Sequence, residues 1–402
     1  MSVPQLTPGA LAGLRVVEMG QLIAGPFAGK TLGDFGADVI KIEPPGAGDP
    51  LRNWRMIQDG TSVWWQVQSR NKRSIALDLR SPDGQRIARE LIGKADVLIE
   101  NFRPGTLEKW GMSYEALSKD NPGLVMLRIS GYGQTGPYRD LPGFGAIGEA
   151  MGGLRHLTGE PGQVPVRCGI SIGDTLAGLH GTIGVLTALY HRKVNGGLGQ
   201  VIDVALTEAV FNVMESLVPE YSAFGAVREP AGSALPGIAP SNAYRCSDGV
   251  VLIAGNGDSI FKRLMQIIGR DDLGNDPALA DNAGRVARVE ELDTAISAWT
   301  ADRSVEEALG RLGAVGVPAG RVYTAKDIID DPHYQARDMI LKQKTRNGHV
   351  LDVPGVVPKL MGTPGSIRCS APNLGDDTDA VLHELNYTSQ DIAALREKKV
   401  VA

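Results

Sequence analysis

Between Gly169 and His191 runs the segment GISIGDTLAGLHGTIGVLTALYH, in which a single acidic residue, Asp174, stands at the head of a long apolar stretch. An aspartate directly before a helix occupies the N-cap position. The positive end of the helix dipole would keep its carboxylate ionised. Gly173 before it, and Ala177 and Gly178 one turn on, would leave that carboxylate uncovered and let a substrate approach the backbone. An ionised carboxylate so placed can act as a nucleophile. It can also be nothing more than a cap, and by spacing alone capping is the commoner role.

Two further segments carry chemical potential, each with a plainer reading beside it. Ser69–Ser74 (SRNKRS) brings an Arg, a Lys and another Arg into a loop before an expected strand. Such side chains could bind phosphates, or could form a solvated basic turn. Ala254–Phe261 (AGNGDSIF) places Gly255, Asn256 and Gly257 at the end of an apolar strand. That loop could hinge over a site and offer backbone N–H groups to an oxyanion, or be an ordinary strand exit. Gly143, Gly145 and Gly148 satisfy G-x-G-x-x-G, yet the nearest expected strand ends about a dozen residues earlier, so a dinucleotide site is not expected there. The chain has no Walker A sequence, no HExxH and no GxSxG, and its six histidines show no metal-ligand spacing.

These residues need elements to position them. Leu14–Met19, Ala37–Glu43, Ser74–Asp78, Asp96–Glu100 and Leu124–Ser130 read as short buried strands. Helices are expected over Pro26–Gly36 and Pro82–Lys94, and Thr175–His191 has apolar positions around most of its circumference, as a buried helix would. Gln200–Leu206 reads as a strand and Thr207–Ser222 as one helix. Strands separated by such helices imply an α/β fold with right-handed crossovers and a largely parallel, Rossmann-like sheet. Ligands of such sheets sit beyond the carboxyl ends of the strands, which points to the loops 20–26, 44–55, 101–111 and 131–142. Near Gly225 the composition shifts to a Gly-, Pro- and Ser-rich linker. A hairpin turning at Asp248-Gly249 and helices near Ile260–Ile268, Glu290–Ala301 and Val305–Val315 follow, as in a smaller α+β domain. A second hairpin signal lies at Asn347-Gly348. The last helix is expected from about Gln390 to Lys398, capped by Ser389. The division is therefore a large domain over 1–224, a small one with linkers over 225–325, and a C-terminal segment over 326–402.

At 402 residues two domains are the natural expectation, and 43% hydrophobic with 22% charged residues is ordinary globular composition. A formal charge of −5 gives no general attraction to nucleic acid or to an anionic membrane. The three scattered cysteines suit a reducing compartment. The N-terminus lacks the pattern of a secretory signal, and no run of about 18 apolar residues suggests a membrane span. A cytoplasmic location is expected.

In order along the chain, the blocks GLRVVEMGQLIAGPFAGKTLGDFGADVIKIEPPGAGD, NKRSIALDL, ADVLIENFRPGTLEKWG, ISGYGQTGPY, GDTLAGLHGTIGVLTAL and APSNAYRCSDGVVLIAGNGDSIF resemble the class III coenzyme A transferases, from about Leu11 to Leu382. GVPAGRVYTAKDIIDDP and NLGDDTDAVL add to the likeness. The resemblance implies that Asp174 is the nucleophile and that the chain forms an interlocked homodimer, each ring-shaped chain threaded by the other. It also implies that the C-terminal segment returns to the large domain. CoA is then expected near Ile23, Ala24, Lys72, Arg73, Asn101, Phe102, Arg103, Lys109 and Tyr132, with the loop Gly255–Gly257 closing over acyl intermediates. The substrates would be an acyl-CoA and a free carboxylic acid, with no metal or organic cofactor.

The chain looks most like the branch that moves CoA from succinyl-CoA to C4–C5 dicarboxylates such as malate, citramalate, itaconate or mesaconate. Arg52, Arg55, Arg139 and Arg167 are available to hold a second carboxylate. Formyl-CoA transferase has a glutamine in place of Ile23, a lysine in place of Ser130 and a longer glycine run in place of Gly-Asn-Gly, which argues against oxalate. The related α-methylacyl-CoA racemases are the alternative. They pair the aspartate with a histidine in a block like AGHD, whereas this chain has PGFG, and Phe144 cannot transfer a proton.

Overall fold

The computed structural model describes residues 9–58 and 60–402. The first eight residues, part of the N-terminal stretch 1–20 on which the absence of a secretory signal was read, lie outside them. The chain divides into two compact units. One ends its first stretch at Arg155 and resumes over Cys168–Pro219 and Tyr334–Ala402; the other comprises His156–Arg167 and Glu220–His333.

The first unit is built on six strands: β1 (Arg15–Glu18), β2 (Asp38–Glu43), β3 (Lys72–Ala76), β4 (Val97–Glu100), β5 (Val125–Ser130) and β6 (Val201–Ala205). They lie in the order β3-β2-β1-β4-β5-β6 and every adjacent pair is parallel. Successive residues along each strand serve opposite faces. Val16, Val39, Val97 and Val125 join one core with α1 (Ala24–Asp34) and the long helix after β5. Val17, Ile40, Leu98 and Met126 join the other, with α2 (Pro82–Gly93) and residues of the C-terminal helices. Burial on both faces is why these strands read as continuous apolar runs rather than alternating ones. The returning C-terminal segment is tied to the sheet edge through the Leu77–Val401 bridge and the Asp78 N–H donating to the Val400 carbonyl.

After β5 come α3 (Gly145–Met151) and α4 (Ile172–Val194), and after β6 comes α5 (Leu206–Phe211). Here three expectations need correction. Asp174 is not the cap of α4; Ser171 holds that position and Asp174 is the third helical residue. The helix is not buried around its circumference: Leu179, Ile183, Leu186 and Tyr190 are exposed. Although α4 is apolar enough by length and composition to cross a bilayer, its buried side packs on β5, β6 and α1. The single helix expected over 207–222 is two, α5 and Leu217–Phe224, with Glu215 between them at φ 52° in the left-handed region.

The second unit has an antiparallel sheet of β7 (Ser241–Cys246), β8 (Gly249–Ala254) and β9 (Ala319–Arg321) in the order β9-β8-β7. Its hairpin pairs Cys246 with Gly249, so the turn is Ser247-Asp248, one residue earlier than the Asp-Gly signal indicated. Helices α6 (Asp258–Ile267), α7 (Val289–Ala301) and α8 (Val305–Ala314) enclose a core around Phe261, Leu264, Ile296 and Leu312. In the returning segment, β10 (Ile340–Lys344) and β11 (Val350–Pro354) flank the Asn347-Gly348 turn. Helices α9 (Thr378–Glu384) and α10 (Ser389–Glu397) close the chain. Thr388, not Ser389, caps α10, in a reciprocal pair with Asp391.

Candidate active site

In a sheet of order 3-2-1-4-5-6 the connections run in opposite directions from β1 and β4, opening a crevice beyond their carboxyl ends. A cavity of about 200 Å3 lies there. Gln21–Ala24 after β1, Asn101–Pro104 after β4, and Gly131 with Arg139 and Leu141–Phe144 after β5 form its walls, and Asp174 also lines it. Two lips are clamped together: Asn101 Oδ1 accepts from the Gln21 N–H at 2.7 Å, and Asn101 Nδ2 donates to the Gln21 carbonyl at 2.8 Å.

A fully buried charge cluster holds the first loop from beneath. Lys41 Nζ donates to the Gly20 carbonyl (2.7 Å) and pairs with Glu18 and Asp49 (2.9 Å each). Asp49 in turn accepts from the Leu22 N–H, where the backbone adopts φ 63°. Lys72 Nζ pairs with Glu18 (2.7 Å) and donates to the Pro26 carbonyl (2.8 Å). Burial pushes the Lys72 ammonium down to about 8, against the attraction of Glu18. Burial works on Lys41 in the same sense, but the carboxylates of Asp49, Glu18 and Glu43 outweigh it and its pKa is raised. The β4 lip has its own anchor: Glu100 Oε2 accepts from the Phe102 N–H (2.8 Å), and Arg128 bridges Glu100 and Glu108 (2.7 Å each).

Asp174 is set by small residues. A Cβ on Gly145 would fall 2.1 Å from Asp174 Oδ2, and one on Gly173 would fall 2.9 Å from the Gly145 carbonyl. The first residue of α3 therefore rests directly on the carboxylate in the first turn of α4. Gly143 and Gly131 approach equally closely, and Gly148 packs on Leu206. The G-x-G-x-x-G run, set aside above as a nucleotide motif, is what brings α3 up against Asp174. The reading from spacing missed Gly145, although its signal was in plain view. Ala177 and Gly178 do something other than expose the carboxylate: Ala177 is fully buried, and a Cβ on Gly178 would meet the Ala24 carbonyl at 2.8 Å, so they seat α4 on α1.

The structure gathers Ile23, Ala24, Asn101, Phe102, Arg103 and Asp174 at the crevice. Tyr132 lines an adjacent cavity of about 330 Å3 with Tyr138, Asp203 and Glu208, and Lys109 is exposed at the end of the helix Thr106–Lys109. Several cations are engaged elsewhere, and these expectations are corrected. Lys72 has no surface for a phosphate. Arg73 forks onto Asp38 (2.7 Å) and pairs with Glu384 (2.6 Å). Arg52 forks onto Glu43 (2.7 and 2.8 Å) and stacks 3.7 Å from the Trp65 ring, and Arg55 lies 4.3 Å from the Trp64 ring. The acidic partners of Lys72, Arg73 and Arg52 come from strands β1 and β2 and helix Thr378–Glu384, so spacing could not show that these cations were taken. Arg167 belongs to the second unit, as do Gly255, Asn256 and Gly257. There the Asn256 carbonyl accepts from Arg285 Nη2 (2.8 Å), whose guanidinium is buried, and Gly255 packs on Leu264. That loop is anchored within its own unit.

Among the described residues lining the crevice, the ionisable groups are Asp174, Arg103 and Arg139. One carboxylate faces anionic ligands that two guanidiniums can hold. A crevice carboxylate beside guanidiniums that can hold an anionic substrate suits nucleophilic attack.

Residues 11–378 match the family model described as CoA-transferase family III. The chain is 46% identical over 400 residues to the succinyl-CoA–D-citramalate CoA-transferase of Chloroflexus aurantiacus, covering 99% of both chains. It is 43% identical over 397 residues to the beta subunit of the succinyl-CoA–L-malate CoA-transferase of the same organism, covering 97% of this chain and 98% of that one. Among solved structures, a CAIB/BAIF family protein from Brucella suis superimposes with a TM-score of 0.85 at 35% identity, over 94% of this chain and 100% of that one.

Proposed function

This chain belongs to CoA-transferase family III, and from that premise we propose that it moves CoA from succinyl-CoA to a C4–C5 dicarboxylate, with Asp174 as the covalent carrier. Malate, citramalate, itaconate and mesaconate are the acceptors to test first. The observation that carries the reading is the Asp174 carboxylate at the sheet's switch-point crevice.

Asp174 attacks the thioester carbonyl of succinyl-CoA; the C–S bond breaks and CoA leaves as the thiolate, giving an aspartyl–succinyl anhydride. The thiolate then attacks the aspartyl carbonyl. The anhydride C–O bond breaks, succinate departs, and CoA is held as an aspartyl thioester. The acceptor's carboxylate attacks that carbonyl and expels the thiolate, forming a second anhydride. Thiolate attack on the acceptor's acyl carbon releases the new CoA ester and restores the Asp174 carboxylate. No proton or water is consumed, so the site must exclude water. Racemisation would need a base on each face of the substrate, and Phe144, which lines the crevice, matches by resemblance the histidine of the racemase block and cannot transfer a proton.

The working assembly is a homodimer in a reducing compartment such as the cytoplasm. The exposed apolar stripe of α4 and the three unbridged cysteines support this. The test is a donor–acceptor matrix: purified protein, succinyl-CoA and a panel of acids, with CoA esters read by mass spectrometry. Transfer to C4–C5 dicarboxylates is expected, and acid-quenched protein should carry CoA on the Asp174 peptide. Asp174→Asn should lose transfer and the adduct while still binding CoA. Exchange of the α-proton of a 2-methylacyl-CoA without transfer would overturn the reading.

A further inference from the structure

We propose that Arg139 reads the distal carboxylate of both acids, the one released and the one accepted. This rests on the transferase reading above. A dicarboxylate presents one carboxylate to Asp174, and its other end stays ionised in a crevice that already holds a negative charge. Burying that second anion without a cation is costly. Among the described lining residues only Arg103 and Arg139 are cationic, while Arg52 is paired with Glu43 and Arg55 lies over the Trp64 ring.

The two crevice arginines sit on different walls. Arg103 is on the lip that Asn101 clamps to Gln21, at the strand ends where such sheets receive a ligand and where the family resemblance leads CoA to be expected. Arg139 is on the loop after β5 that runs through Leu141–Phe144 to Gly145, and Gly145 rests on the Asp174 carboxylate. The same short segment therefore carries both the surface against the nucleophile and a guanidinium. Among the described residues Arg139 forms an ion pair with its neighbour Asp140, at 3.6 Å between two exposed side chains, and its charge adds to the hydrogen bond from Arg128 in lowering the Glu108 carboxyl; surface contacts of this kind are of little worth. Its planar fork remains available for a bidentate carboxylate contact.

The mechanism adds a consequence. Donor and acceptor acids are each joined in turn to the same Asp174 carboxyl carbon through an anhydride oxygen, so a cation placed for one distal carboxylate serves the other. Arg139 would then require short dicarboxylates on both sides of the exchange.

The experiment compares two pairs on the full-length protein: succinyl-CoA with a C4 dicarboxylate, and butyryl-CoA with butyrate, which have the same chain length without the distal charge. If the wild type moves CoA within neither pair, the transferase reading fails, and the role of Arg139 with it. With the wild type active, Arg139→Gln should raise KM for succinyl-CoA and for the dicarboxylate about 100-fold. The butyryl pair and the Kd of free CoA should stay within about twofold. Arg139→Lys, which keeps the charge and loses the fork, should fall between. An unchanged KM for dicarboxylates, an equal loss on both pairs, or weakened binding of free CoA would each overturn the assignment while leaving the transferase reading in place.

Discussion

Asp174, in the first turn of α4, is accessible to a substrate because the residues pressed around it are too small to cover it. The charges beneath it act differently. Glu18, Lys41, Asp49 and Lys72 are buried, mutually paired, and hold the loop after β1 through its backbone carbonyls. Removing one partner of such a cluster leaves a charge uncompensated, so Lys72→Met should cost about 3 kcal/mol of stability at neutral pH. A pH signature should accompany the loss. Lys72 is lowered to about 8 from its ordinary 10.5, so between those values the folded chain binds fewer protons than the unfolded one. Stability from this residue then increases as pH rises through that window. Denaturant unfolding of wild type and Lys72→Met from pH 7 to 10.5 should show the gap between them widening with pH; a constant gap would contradict the assignment. Nothing in the spacing of Ser69–Ser74 could reveal this, because the partners that neutralise Lys72 and Arg73 are Glu18 and Asp38, on neighbouring strands.

At the scale of elements, two glycines on the α3–α4 side of the sheet allow a contrast. A Cβ on Gly145 would collide with the Asp174 carboxylate, held by the turn of a helix, while one on Gly181 would meet only the flexible end of Leu127, at 2.8 Å. Gly145→Ala should therefore displace Asp174 and lower kcat about 100-fold with KM for the CoA substrate little changed. Gly181→Ala should leave kcat within about threefold, its effect being on packing. Steady-state kinetics with succinyl-CoA distinguish them, and equal losses in kcat would show that Gly145 acts only through packing. The strands of the first unit were readable because burial on both faces demands continuous apolar runs. The start of α4 was set three residues late because aspartate is a favoured cap. Ile172 and Gly173 carry no cap chemistry, yet both are helical.

For the whole molecule, Leu179, Ile183, Leu186 and Tyr190 recur at helical spacing along one side of α4, with Ile183 62% and Tyr190 69% exposed. A contiguous apolar stripe of this kind is costly to leave in water and marks an association surface. In the proposed homodimer this stripe is covered by the second copy. Ile183→Lys should then shift the protein from dimer to monomer or aggregate in sedimentation velocity; an unchanged dimer would place the interface elsewhere. The helix looked buried from its sequence because apolar residues surround it. One chain accounts for only the side facing β5, β6 and α1.

By itself the sequence determined the parallel α/β sheet, the succession of its strands and helices, the family, and Asp174 as the group to watch. Each of these follows from local pattern: buried strands demand apolar runs, and ordered blocks of residues identify a family. What the tertiary structure decided is which charges are free to meet a ligand. Lys72, Arg73 and Arg52 belong to internal pairs, Arg139 and Arg103 line the crevice, and Gly145 lies on the Asp174 carboxylate. These are contacts between segments distant along the chain. They follow from the order in which the strands assemble, and no spacing between neighbours in the sequence records that order.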